Sequence, residues 1–424
     1  MPSQIDLVVV HCKQLVTCQN PGDTPKKGQE LDLLDVVPDG AIAVSEGRIV
    51  FVGKTVDLES QMQWPESARV LDGSGYVLMP GWVDCHTHAV FGGTRAEEFV
   101  IRLRGATYLE ILNKGGGIIS TVRETENLSE VELASMSQTY LDNMLVHGTT
   151  TVEIKTGYGL DWKNEEKMLR AIELLKSRHP LDIVTTFLGA HAIPPRHRKN
   201  GDVYTDEVIE MLPKAREYAE FCDVFCEKGA FSADQTRRIL KEAKRLEYKI
   251  KLHIDEFSDI GGAGIAADFG AISADHLDNV SDDGIKKMVS KDVVGVLLPG
   301  VTFFLGGDRY APAKKMIKRG LPIAVATDFN PGSCPSENMQ LMISLACIKM
   351  GMSPEAAIQS ATINGAHAIG QAHEVGSLEA GKKADFIFLK VPDFQHIPYR
   401  FGINHVDMVV KNGKILVEKG RLKY

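Results

Sequence analysis

The feature that most constrains this chain is a regular alternation, through its middle, of short apolar runs with segments of helical period. The runs are 81–83, 149–154, 183–188, 221–225, 250–254, 271–274, 293–298 and 323–326, eight in all. Most lead into a stretch whose apolar residues recur every three or four positions, as in 166–175, 232–246, 281–289 and 337–350, with Ser, Asp or Glu near the first turn. Strands that are apolar along their length are buried on both faces, and strands separated by helices pair in parallel. Eight such units close a ring, so the expected core is an α/β (β/α)8 TIM-like barrel. No internal repeat or low-complexity tract offers another architecture.

At 424 residues the chain exceeds what a barrel needs, and its two ends have a different character. Short strand-like runs at 5–10, 41–44 and 49–52 are closed by Ser45-Glu46-Gly47 and by Gly53. Near the other end, 384–389, 406–410 and 414–417 repeat the style around an Asn412-Gly413 hairpin turn. Neither end buries an apolar face by itself. The two are expected to meet as a small composite β-sandwich domain, 1–78 together with 375–424, beside a barrel at 79–374.

Charge and cysteine content narrow the function classes. Lys and Arg number 48 against 56 Asp and Glu, a net charge of -8, and basic residues such as Arg237, Arg238, Lys241, Lys244 and Arg245 read as a solvated helix face. No nucleic-acid partner is expected. The apolar run 7–10 is too brief for a secretory core or a membrane span, which predicts a cytoplasmic protein with no membrane partner. Seven cysteines without repeating spacing argue against a disulfide framework, and Cys222 and Cys226 lack the second pair that a zinc knuckle needs. They read as buried thiols.

The polar residues fall where a barrel would gather them. His86 and His88 follow the first run, Glu153 and Lys155 end the second, His191 follows the third and Glu227 the fourth. His253 and Glu256 stand at the end of the fifth, His276 follows the sixth, and Asp328 with Asn330 follows the eighth. Because the C-terminal ends of barrel strands form one rim, these residues are expected to converge. His86-Thr87-His88 points two imidazoles to one side of an extended segment. Alone, such a pair is more often surface or core histidine than ligand. With His253 and Asp328 it becomes three imidazoles and a carboxylate, a set that suits one Zn or Fe ion and leaves positions open for water.

These motifs resemble the amidohydrolase superfamily: Pro80-Gly81-Trp82-Val83-Asp84-Cys85-His86-Thr87-His88, a histidine on each of the fifth and sixth runs, Asp328 after the eighth, and the returning segment from Gly376 to Asp385. Members with two metals bridge them by a carboxylated lysine on the fourth strand. Here Glu227 stands in that region with Lys228 just beyond, so one metal per subunit is expected, with Lys228 keeping the question open. Within the superfamily, Phe91-Gly92-Gly93-Thr94-Arg95, Gly115-Gly116-Gly117-Ile118, Lys155-Thr156-Gly157-Tyr158-Gly159-Leu160, Leu188-Gly189-Ala190-His191, His253-Ile254-Asp255-Glu256 and Ala326 to Ser333 are similar to the imidazolonepropionase family.

That resemblance implies hydrolytic ring opening of 4-imidazolone-5-propanoate to N-formimidoyl-L-glutamate in histidine degradation, in a homodimer. It implies substrate contacts at Arg95, Tyr158, His191, Glu256, Asn330, Gly332 and Ser333, with Arg95 as the cationic fork for the carboxylate tail. Water activated by the ion at His86, His88, His253 and Asp328 would attack the ring carbonyl. Glu256, His276 and Asp328 form the expected catalytic group, Glu256 or His276 carrying the proton to the departing nitrogen. An alternative for Glu256 is to orient His253. For Tyr158 it is a core tyrosine, for Arg95 a surface ion pair, and for Gly332 a simple turn residue after Pro331. The triple glycine 115–117 lacks the lysine of a phosphate loop and reads as a hinge. The rival functions are hydrolysis of hydantoins, deamination of an aminopurine, and metal-dependent binding without catalysis.

Overall fold

The computed structural model describes residues 5–105 and 116–424, so Gly115 of the triple glycine lies outside the described residues. Eight strands form the barrel: Trp82–Asp84, Thr149–Lys155, Asp182–Ala190, Phe221–Cys226, Lys249–Ile254, Ser273–His276, Val294–Leu297 and Ile323–Val325. They neighbour one another in chain order, every pair parallel. Thr149–Lys155 is buried at every position, as expected of a strand covered on both faces.

The ring closes just beyond the ends of the first and eighth strands. His88 donates its backbone N–H to Phe329 (2.8 Å), and Asp328 donates to His86 (3.0 Å). Below them the Asp84 carboxylate accepts from the Thr327 backbone N–H (3.1 Å) and hydroxyl (2.6 Å). This closure sets the segment carrying His86 and His88 against Asp328.

Local signals in the sequence fix the surrounding helices. Asp161, Ser232 and Ser281 cap Trp162–Arg178, Ala233–Arg245 and Asp282–Val289 through their side chains. Each such cap is worth about 1 kcal/mol. Trp162–Arg178 buries Met168, Leu169, Ile172 and Leu175, a stripe at helical spacing turned to the barrel. The sixth strand starts later than the run 271–274 suggests. Ala271 donates back to Ala266 across Gly270, which has φ 60°, so those residues finish the preceding helix Gly262–Phe269.

The chain ends form one nine-stranded, mostly antiparallel sheet. Its N-terminal strands are Leu7–Val16, Val36–Ser45, Arg48–Lys54, Arg69–Asp72 and Val77–Pro80, and its C-terminal ones are Phe386–Leu389, Val406–Lys411, Lys414–Glu418 and Arg421–Leu422. Val77–Pro80 pairs with Phe386–Leu389 and so joins the two ends. The sheet curls back on itself, with Arg48 bridging Lys383, and encloses Leu7, Val9, Ile42, Phe386, Phe388 and Val410. The hairpin turn has φ 49° at Asn412 and 73° at Gly413, the conformation this residue pair favours. All seven cysteines are free thiols. No helix among the described residues is long and apolar enough to cross a membrane.

Candidate active site

Three imidazoles and a carboxylate meet at the C-terminal mouth of the barrel. Asp328 Oδ1 lies 3.4 Å from His86 Nε2 and 3.3 Å from His88 Nε2, and His253 Nε2 lies 3.4 Å from His88 Nε2. His86, His253 and His276 make a second convergent group, their ring nitrogens within 4.8 Å of one another. Asp328 Oδ1 and His86 Nε2 are buried with no hydrogen-bond partner. Buried lone pairs without donors are costly unless a cation satisfies them, so these residues fit a metal ion. The backbone is strained to achieve this: Asp328 has φ 50° and His276 φ 79°, in the left-handed region disfavoured for residues with a Cβ.

A layer of fully buried charge lies beneath. Lys155 Nζ contacts Glu153 (3.0 Å), Asp223 (2.8 Å) and Asp275 (3.6 Å). Lys251 Nζ lies 3.4 Å from Glu153 and 3.7 Å from Asp275, and Thr186 donates its hydroxyl to Glu153. The carboxylates reach upward to the imidazoles. Asp275 Oδ2 is 2.6 Å from His86 Nδ1, and Asp223 Oδ2 is 3.0 Å from His253 Nδ1. A carboxylate at Nδ1 keeps the proton there and leaves Nε2 as the lone-pair donor.

Burial opposes ionisation of Asp223 and Asp275, yet the adjacent lysines and imidazoles hold both well below the usual carboxylate range. Asp328 is likewise held low by His86 and His88 against the pull of burial. Burial pushes His88 down to about 4 and lowers His253 and His276, so their rings are neutral and free to ligate. His86 is also opposed by burial and by Lys155, but Asp275 and Asp328 outweigh them and raise it.

Glu256 stands beside this cluster, its Oε2 3.8 Å from His276 Nε2. Burial, with Asp328, Asp278 and Glu227 nearby, raises its carboxyl well above the ordinary value. On the other side His191 stacks on His88 at 4.8 Å, and its Nδ1 is 3.1 Å from the Gly157 carbonyl. Tyr158 lies 5.3 Å from His191 and is buried. Arg95 sits at the start of helix Ala96–Leu103, its Nε donating to Glu98 at 2.8 Å. Its guanidinium lies on the 331–333 turn: a Cβ on Gly332 would come 1.9 Å from Arg95 Nη1, so any other residue there would displace the guanidinium.

Comparison with known proteins decides the family. The amidohydrolase family profile matches residues 77–416. An imidazolonepropionase from Alkaliphilus oremlandii is 49% identical over 99% of both chains, and one from Bacillus velezensis is 43% identical over 99% of both. The chain belongs to the imidazolonepropionases of the amidohydrolase family. Among solved structures, an adenosine deaminase from Xanthomonas campestris with bound zinc superposes with a TM-score of 0.74 at 20% identity, covering 100% of this chain and 95% of that one. The zinc complex of atrazine chlorohydrolase from Arthrobacter aurescens gives 0.74 at 16% identity, over 98% and 96%. At those identities the likeness is one of fold.

In this imidazolonepropionase chain the residues singled out by sequence fall into three groups. His86, His88, His253, His276, Glu256 and Asp328 come together around one point, with His191 and Tyr158 along one wall. Arg95, Gly332 and Ser333 form a rim. Asn330 spends its side chain within that rim, its Oδ1 accepting from the Gly332 and Ser333 N–H groups (both 2.8 Å) and its Nδ2 donating to Asp328 O (2.7 Å) and Ser333 Oγ (2.8 Å). Glu227 faces away from the imidazoles, toward residues 257 and 258.

Sequence reasoning missed Asp223, Lys251 and Asp275. A signal for them exists: each is an ionisable residue in the interior of a barrel-strand run, where a charge is rarely buried unless paired.

Proposed function

We propose that this chain opens the ring of 4-imidazolone-5-propanoate with water to give N-formimidoyl-L-glutamate, at one divalent metal ion held by His86, His88, His253 and Asp328. The observation that carries this reading is the convergence of three imidazoles, one carboxylate and the protonatable Glu256 at one point of the barrel mouth. The charge balance supports a dication. Among the described residues the lysines facing Glu153, Asp223 and Asp275 are Lys155 and Lys251, so with Asp328 the carboxylates of the pocket outnumber its lysines by two. Zinc and iron both suit this donor set.

When bound, such an ion supplies Lewis acidity, making water nucleophilic near neutral pH and polarising a carbonyl. The chain's own groups do the rest. Glu256, with its raised affinity for protons, takes one from the attacking water and returns it to the departing ring nitrogen. Neutral His276, 3.8 Å away, hydrogen-bonds the oxygen on which charge develops. Arg95 binds the propanoate tail from the rim, beside the amides of Gly332 and Ser333, and His191 and Tyr158 close the wall against the ring.

The seven free thiols fit a reducing cytoplasm. Exposed Ile348, Tyr399, Phe401 and Ile403 offer a surface for a homodimer, which sedimentation of the purified chain measures.

The test is metal analysis of purified protein together with an assay of fresh 4-imidazolone-5-propanoate by loss of its ultraviolet absorbance. Near one metal per chain and appearance of formimidoylglutamate without ammonia is the expected result. Metal without turnover would redirect the assignment to hydantoins, and prompt ammonia release to aminopurines.

A further inference from the structure

Glu227 stands in the region where two-metal members of the superfamily carry a bridging lysine, yet its side chain is spent elsewhere. It lies just past the fourth barrel strand, 2% exposed. Its backbone is fixed in a tight turn, N–H to Phe231 O at 3.1 Å and C=O from Ala230 N–H at 3.0 Å. Oε2 accepts from the backbone N–H of Phe257 (3.0 Å) and of Ser258 (3.2 Å). Oε1 accepts from the Lys228 N–H (2.8 Å) and from the Ser258 hydroxyl. Four donors leave this carboxylate little capacity for a metal, and it joins neither convergent ligand group.

The segment it holds follows Glu256 directly. Apolar packing does not fix that segment, because the Phe257 side chain is 64% exposed. On the near side, Asn279 donates its backbone N–H to Asp255 O (2.8 Å) and its side-chain amide to Glu256 O (2.6 Å). The Glu256 backbone is therefore pinned from the sixth strand's loop on one side and from the fourth strand's loop on the other. Its carboxylate has only the 3.8 Å approach to His276 as an ion pair among the described residues, so its placement follows from the backbone.

We propose that Glu227 is a positioning residue that clamps residues 257–258 and thereby sets Glu256 at its working distance from the reacting water. This rests on the reading of Glu256 as the proton carrier. The clamp also explains a carboxylate at this position. Both oxygens face N–H donors, so an amide in either orientation would set donor against donor. A displacement of about 1 Å at a reacting group costs up to about 100-fold in rate.

The experiment compares E227Q, S258A, the double variant and E256Q with the unaltered metal-loaded enzyme. E227Q is expected to lose about 10- to 100-fold in kcat with KM changed by less than about 3-fold. Its metal content and its metal affinity by chelator competition stay unchanged. S258A should lose less, and the double variant no more than E227Q, because both act through one clamp. Hydrogen exchange on the unaltered enzyme adds a measurement that needs no variant to fold: the Phe257 and Ser258 amides should be protected, and in E227Q they should be the ones that speed up.

An E227Q enzyme of full kcat, or unprotected amides at 257 and 258, overturns the clamp. Loss of metal from E227Q overturns it in favour of a ligand role. If E256Q keeps full activity, the reading of Glu256 fails and the clamp with it. If E256Q is inactive while E227Q is not, the clamp alone fails.

Discussion

Replacing Asp223 by Asn tests whether the buried charge layer holds the metal ligands in place. One carboxylate oxygen accepts from the His253 backbone N–H at 3.2 Å. The other lies 2.8 Å from Lys155 Nζ and 3.0 Å from His253 Nδ1. Every group facing it is a donor, so the amide of Asn meets an N–H whichever way it turns. One orientation opposes the strand backbone. The other removes the acceptor that holds the proton on His253 Nδ1, and the ring then turns or takes the tautomer that cannot ligate.

The magnitude follows from the 3.0 Å ion-pair contact of Asp223 Oδ2 with His253 Nδ1. A carboxylate orienting a buried ring in this way contributes on the scale of a charge-assisted hydrogen bond, about 1.5–3 kcal/mol, and each 1.4 kcal/mol is about tenfold in an equilibrium constant. Metal affinity should therefore fall about 10- to 100-fold, the range typical of groups that orient a metal-bound histidine. The fold survives the change. Three carboxylates against two lysines become two against two, and Lys155 keeps Glu153 at 3.0 Å and Asp275 at 3.6 Å. The expected loss of stability without metal is about 1–3 kcal/mol for the donor left unpaired. Competition with a chromophoric chelator reads the affinity, and thermal denaturation in excess chelator reads the stability of the apo chain. A folded D223N chain that binds zinc within about twofold of the unaltered one would falsify the orienting role.

Three further outcomes follow from the same geometry. E256Q should keep its metal and lose about 100-fold or more in kcat, measured by substrate absorbance against metal content in one preparation. R95K should raise KM with little change in kcat, because an ammonium cannot reproduce the planar fork over Gly332; an unchanged KM removes Arg95 from the carboxylate site. His367 is lowered to about 4 by burial and by Lys382, and its Nε2 lies 3.0 Å from Asn20 Nδ2. A depressed histidine contributes stability that is present above its unfolded value near 6.5 and is lost as pH falls toward about 4. Denaturation from about pH 7.5 to pH 5 should show that loss, and H367Q should flatten it.

Much of the architecture was legible because the pattern is redundant. Eight buried runs, most followed by a helical segment and several of those opened by a capping Ser, Asp or Asn, determine a parallel barrel even when single boundaries shift, as the sixth strand does. The rim residues were legible for the same reason: a residue just after a barrel strand lies at the mouth, although its side chain can turn aside as that of Glu227 does. Arg69–Asp72 has no clear sequence signal because it is only four residues long and mostly exposed, and it pairs in parallel with Leu7–Val16 rather than through a hairpin turn. Asn330 shows a different limit. Its position suggests a substrate contact, while its four hydrogen bonds within 328–333 are set by the local turn, which sequence does not display.

The layer beneath the ligands explains why the ligand residues alone do not define this centre. A neutral imidazole is a metal donor only if its other nitrogen carries the proton, and Asp223 and Asp275 supply that condition from the fourth and sixth strands. Those carboxylates would be too costly to bury ionised without Lys155 and Lys251 from the second and fifth. Lysines alone would repel the cation above them, and carboxylates alone would be protonated and lose their hold on the rings. The mixture keeps the acids ionised while leaving the pocket net negative. Metal binding at His86 and His253 is thus set by Asp223 and Asp275, on strands that carry none of the four proposed ligands, and D223N tests that dependence where one buried carboxylate serves a lysine, a backbone amide and a ligand ring together.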